Sequence, residues 1–169
     1  MRIDPAETGS EADQLSAYLD YLRQTVLLKT EGLTSAQLAQ RLPPSTLTLG
    51  GLINHLALVE DSWFRVRFAG LPDDEAWAGI DWEADPQFEF RTAAELSPEA
   101  LRERYRDTCA RSREVVAQAT SLDELSVEKR GNGKHFDLRW MLLHLIVETA
   151  RHAGHADLLR EAIDGTVGD

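Results

Sequence analysis

The sequence predicts an all-α fold, a four-helix bundle with long connections between its helices. Four long segments repeat apolar residues at steps of three and four. Almost no strand-type alternation accompanies them, and the two longest connections leave no regular βα repeat. With 169 residues, 43% of them hydrophobic, the chain suits one domain over 1–169 whose core needs no disulfide staples.

The first long pattern runs from about Glu11 to Lys29, with Leu15, Leu19, Leu22 and Val26 in step and Ser10 placed to cap it. A short second pattern, Thr34 to Leu42, opens on a threonine cap and is stopped by Pro43 and Pro44. The third, from about Leu49 to Ala69, carries the face Leu52, His55, Leu56, Val59 and Trp63 and ends at Gly70 and Pro72. Gly50 and Gly51 at its start permit close packing beside His55. Residues 71–96 form an acidic excursion without periodicity, of the kind that lines or covers a site. Its aromatics Trp77, Trp82 and Phe88 either shape an acceptor pocket or pack back onto the core. The fourth pattern begins cleanly, with Ser97 to cap, Pro98 at the first turn and Glu99 toward the helix dipole, and continues to about Ala119. The connection SLDELSVEKRGNGKHFD has turn chemistry around Gly131, Asn132 and Gly133, that of a short β-hairpin. Asp137 then caps a last helix that ends at Gly165.

Charge narrows the partners. The 29 acidic and 18 basic residues give a formal net charge of −11, which repels phosphate backbones and anionic lipid, so neither nucleic acid nor membrane is expected. No apolar run approaches the ~20 residues of a membrane span, and MRIDPAETGSEAD has no apolar signal core, which points to a cytoplasmic protein. The single cysteine, Cys109, sits in RYRDTCARSREVV on the apolar side of a helix and reads as a packed thiol ahead of a nucleophile.

The most informative run is LRWMLLHLIVETARHAGHADLLRE, from Leu138 to Glu161. Glu148 and His152 are four residues apart on one helix face, where a carboxylate and an imidazole can grip one ion. His144, Glu148, His152 and His155 share a sector of roughly 80°, while Leu142, Leu145, Ile146 and Ala150 point elsewhere. An ExxxH pair alone is most often a solvated ion pair. Here its flanks are apolar, an unpartnered buried carboxylate is costly, and His55 interrupts the apolar face of another helix. His55, Glu148 and His152 therefore make a candidate metal set of the three-ligand catalytic kind, with a fourth position left open. His144 reads as a residue behind the ligands or in the core, and His155 as a substrate-side donor or a satisfied polar group. Arg151 is placed to pair with a substrate carboxylate or to form a surface ion pair, and His135 falls in an exposed Gly-rich loop. HExxH, P-loop and GxGxxG patterns are absent.

GGLINHLALVE together with ETARHAGHADLLREAIDG resembles the DinB-like superfamily, and within it a branch of thiol-dependent transferases known as a domain of unknown function. The resemblance runs from about Ala12 to Gly165. It implies a four-helix bundle that binds a divalent metal through one histidine on the second long helix and two ligands four residues apart on the last, here His55, Glu148 and His152. Glu148 stands where the commonest members carry histidine. This resembles the mycothiol-dependent maleylpyruvate isomerase relatives, whose zinc site has two histidines and one glutamate. Zinc is thus the first expectation, although nickel, manganese or iron also suits such a donor set. His155 occupies a position where many relatives carry glutamine.

The same resemblance implies a low-molecular-weight thiol partner such as mycothiol or bacillithiol, a small electrophile as its acceptor, and a homodimer. The expected function is a metal-dependent thiol S-transferase or detoxification enzyme. Two other readings remain: a hydrolase using metal-bound water, and a non-catalytic metal-binding or stress-related dimer module closed by a fourth ligand, His144 or His155.

Overall fold

The computed structural model describes residues 2–168, and every regular element among them is a helix, as the periodicity predicts. Helix α1 (Glu11–Thr30) starts where the Ser10 hydroxyl accepts the Asp13 N–H, satisfying one of the orphan donors of the first turn. Helix α2 (Ser35–Leu38) is one turn long, shorter than its pattern, and is held by a reciprocal capping box between Thr34 and Gln37. Helix α3 (Leu49–Glu60) is capped by Thr48. The short α4 (Phe88–Thr92) runs into a 3₁₀ turn, Ala93–Glu95, inside the acidic excursion. Helix α5 (Pro98–Gln118) has the Ser97 cap and N-terminal proline expected of it. Helix α6 (Leu138–Asp164) opens at Asp137 and closes on Gly165, whose φ of 77° is the left-handed conformation that glycine adopts without strain. Helix α1 packs along α6 and α3 packs along α5, which makes the four-helix core.

Two further features depart from the sequence pattern. Helix α3 continues into a π-helical run, Asp61–Phe68, in which the Ala69 N–H bonds to the Phe64 carbonyl five residues back. The wider turn rotates the later side chains relative to a 3.6-residue wheel. Phe64 and Phe68 therefore enter the core, while Trp63, expected on the buried face, is half-buried and lies against His144 of α6. The second departure is the expected hairpin after α5. Among the described residues no strand forms there, only one antiparallel bridge between Leu125 and Asp137. The backbone is used elsewhere: Val127 and Glu128 donate their N–H groups to the Phe68 and Arg67 carbonyls, satisfying the open end of the π-helical run.

The interior has two apolar clusters. One centres on Leu52, Ile53, Leu56 and Leu101, and the other on Phe64, Met141, Leu142 and Leu145. Trp77 of the excursion packs into the first, whereas Trp82 stays exposed with its edge against Phe88. A buried bidentate pair joins α1 to α3, with Arg23 donating to both Glu60 carboxylate oxygens at 2.7 and 2.6 Å. Cys109 is buried, and burial followed by the Glu60 charge pushes its thiol well above the ordinary range, so it is an inert packing group. Among the described residues no helix is long and apolar enough to cross a membrane.

Candidate metal centre

His55 lies in the middle of α3, and Glu148 and His152 lie one turn apart on α6. The packing of these helices brings one donor atom from each of the three residues to within 4.8 Å of the others. Glu148 Oε1 is 3.8 Å from His55 Nε2 and 3.0 Å from His152 Nε2. A four-coordinate ion with bonds of about 2.1 Å spaces its donors about 3.4 Å apart, so these separations bracket what such an ion requires. All three side chains are partly buried, leaving an accessible face. Among the described residues, no fourth histidine, cysteine or carboxylate completes the cluster.

Each imidazole has a partner behind it. His55 Nδ1 is 3.0 Å from Glu89 Oε1 in α4; a carboxylate accepts, so Nδ1 carries the proton and Nε2 presents its lone pair toward Glu148. Phe90 stacks on the His55 ring with centroids 4.9 Å apart, fixing the plane that the hydrogen bond leaves free. The Glu89 backbone is held in turn, because Asn54 Nδ2 donates to its carbonyl at 2.7 Å and Arg104 donates to Asn54 Oδ1 at 2.8 Å. Glu89 is buried, and its Oε2 has no hydrogen-bond partner among the described residues. His152 places Nδ1 3.4 Å from His155 Nδ1, and burial, reinforced by His55, holds the His152 imidazole below its ordinary pKa, which favours the neutral ligand form.

The remaining histidines and Arg151 fall into distinct places. His155 is the partner behind His152. His144 is outside the group of three and packs its ring on Trp140 and Trp63. Arg151 is exposed and donates to Glu148 Oε2 at 3.2 Å, so it acts on the carboxylate itself. His135 is exposed, with Nδ1 2.7 Å from the Ser126 carbonyl. Glu89 is the site residue that sequence reading missed, one carboxylate of several in an acidic stretch without periodicity. Beyond Phe90 opens a cavity of about 680 Å³, lined by Leu38, Thr48, Gly50, Phe90, Arg91 and Leu101 among others. The donor residues do not line it.

An all-α bundle with this histidine and carboxylate set between its third and last helices is a DinB-like protein. The mycothiol-S-transferase family profile matches residues 14–165, nearly the whole chain, and the chain belongs to that family. Among solved structures it is similar to a conserved protein from Enterococcus faecalis, with 18% identity over 94% of this chain and 100% of that one and a TM-score of 0.64, a likeness of fold. No curated protein matches it.

Proposed function

We propose that the chain is a divalent-metal-dependent thiol S-transferase in which His55, Glu148 and His152 hold the ion, zinc first among candidates. The observation that carries this reading is the convergence of the three donor atoms within 4.8 Å in a chain of the mycothiol-S-transferase family. When bound, the cation supplies Lewis acidity that makes a low-molecular-weight thiol available as thiolate near neutral pH. The protein's own part is positional. Glu89 keeps the proton of His55 on Nδ1, and Phe90 holds the ring plane. Without an ion the His152 Nε2–H donates to Glu148 Oε1 at 3.0 Å; with one bound, that proton would sit on Nδ1, where His155 Nδ1, 3.4 Å away, can accept the hydrogen bond and leave Nε2 as the ligand atom. In the reaction the thiol S–H proton is lost to solvent and a C–S bond forms at the electrophilic carbon. The displaced electron pair leaves with the departing group.

A cluster of three donors supports catalysis over a structural site, which four protein ligands would close. The test has two parts. Elemental analysis of protein purified without chelator should find about one divalent ion per chain, and little in His55→Ala or His152→Ala. Incubation of the loaded protein with an electrophile, with and without mycothiol or bacillithiol, should then give a thioether only when thiol is present. A hydrolysed product independent of thiol would transfer the site to the hydrolase reading, and protein that stays metal-free in excess zinc, nickel or manganese would remove the site altogether.

A further inference from the structure

One turn before Glu148, about 6 Å along the axis of α6, His144 begins a cluster that the donor set does not use. Its ring lies face to face on Trp140, with centroids 5.0 Å apart and planes 8° apart, and packs against Trp63 at 4.5 Å. The Arg67 guanidinium sits 4.6 Å from the centre of the Trp63 ring, and that of Arg130 sits 4.4 Å from the centre of Trp140. Both arginines are exposed, and among the described residues neither forms an ion pair with a carboxylate. In a chain of net charge −11 that pairs most of its other arginines with acids, two guanidiniums spent on neighbouring indoles stand out.

The backbone holds them there. The π-helical winding turns Trp63 toward α6, and the hydrogen bonds from Val127 and Glu128 to the Phe68 and Arg67 carbonyls dock the connection that carries Arg130. The tight turn in which Gly133 donates to the Arg130 carbonyl closes that connection over Trp140. A guanidinium resting on an aromatic face keeps its N–H fork free at the edge, the geometry that grips a carboxylate or phosphate by two hydrogen bonds. The indoles and the His144 ring are themselves used in this stack, so the two guanidinium forks are the groups left to a ligand.

We propose that Arg67 and Arg130, seated on Trp63 and Trp140 beside His144, form a subsite for an anionic head group, a carboxylate or phosphate, on the non-reacting part of the acceptor. The assignment rests on the transferase reading for its place in the reaction, but its binding chemistry is separable from the metal.

Calorimetric titration with 2-naphthoate, 2-naphthyl phosphate and uncharged 2-naphthamide tests it, on the wild-type protein and on the His152→Ala protein. At least one anion should bind both proteins, and the amide should bind about tenfold or more weakly, the worth of hydrogen bonds to a charged group. Arg67→Gln and Arg130→Gln should each weaken the anion by about tenfold or more while leaving the amide unchanged. Whichever anion binds more tightly identifies the head group. Equal affinity for amide and anions, indifference to both arginine substitutions, or no binding of either anion at about millimolar concentration would overturn the subsite. Binding that survives His152→Ala keeps the subsite even where the transferase reading fails. A loaded protein that forms thioethers, yet whose anion affinity ignores both arginines, removes the subsite alone.

Discussion

Glu89 accepts a 3.0 Å hydrogen bond from His55 Nδ1, and it comes from α4, an element that supplies none of the three donors. The contact decides which nitrogen of His55 faces Glu148 and Arg151 across the site. Outer partners of this kind commonly govern metal affinity by 10–100-fold. Glu89→Ala should therefore weaken zinc binding by about 10–100-fold, and Glu89→Gln by less, because the amide oxygen still accepts while the negative charge is gone. Chelator competition on protein of unchanged helicity measures this. Affinities equal to wild type in both variants would leave Glu89 a packing residue.

Gly51 sets how closely α4 approaches α3. A β-carbon there would lie 2.9 Å from Thr48 Oγ1, which caps the helix, and 3.0 Å from Phe90 Cδ1, on the ring that stacks on His55. Gly51→Ala should displace the Phe90 ring and lower stability by about 1–3 kcal/mol, the usual cost of overpacking. Urea denaturation reads the stability, and a matching loss of zinc affinity would show that the ring holds the ligand.

The Arg23–Glu60 pair ties α1 to α3 within the core, with both side chains almost fully buried. Removing one charge strands the other. Glu60→Ala should therefore cost about 3–5 kcal/mol, whereas the apolar double replacement Arg23→Met with Glu60→Leu should recover much of that loss. Equilibrium denaturation of the three variants makes the comparison, and equal losses in single and double variants would contradict it.

The helices and the Glu148–His152 half of the candidate cluster were legible in the sequence because both follow local rules, whereas His55 joins them by the packing of α3 on α6. Ser10, Thr34, Ser97 and Asp137 cap where their side chains predict, and Glu148 and His152 share a face by spacing alone. Three features were not legible. The π-helical winding after Glu60 shifts Trp63 out of step with a 3.6-residue wheel, and no residue in DSWFRVRF announces that winding. Glu89 meets His55 through tertiary packing of a segment that also holds Asp81, Glu83, Asp85 and Glu95, so its role has no local signature. His144 shares the wheel sector of the donors but takes the stacking partner that Trp140 and the shifted Trp63 provide.

His144 and His152 make the metal-free protein sensitive to mild acid. Burial is the largest cause that holds each imidazole below the ordinary value of 6.5; His55 adds to it at His152, Arg130 and Arg67 add at His144, and Glu148 opposes it in both. A depressed histidine binds fewer protons folded than unfolded, so stability rises with pH across the interval between the two values. This contribution is fully present above 6.5 and is lost as pH falls below it, until the folded groups themselves protonate. The thermal midpoint of metal-free protein should therefore drop between about pH 7.5 and about pH 5.5, where ordinary carboxylates stay ionised. His144→Phe, which retains a ring on Trp140, should flatten that slope without changing the affinity of the donor set for zinc. A slope equally steep in His144→Phe and His152→Phe would place the acid sensitivity on other groups.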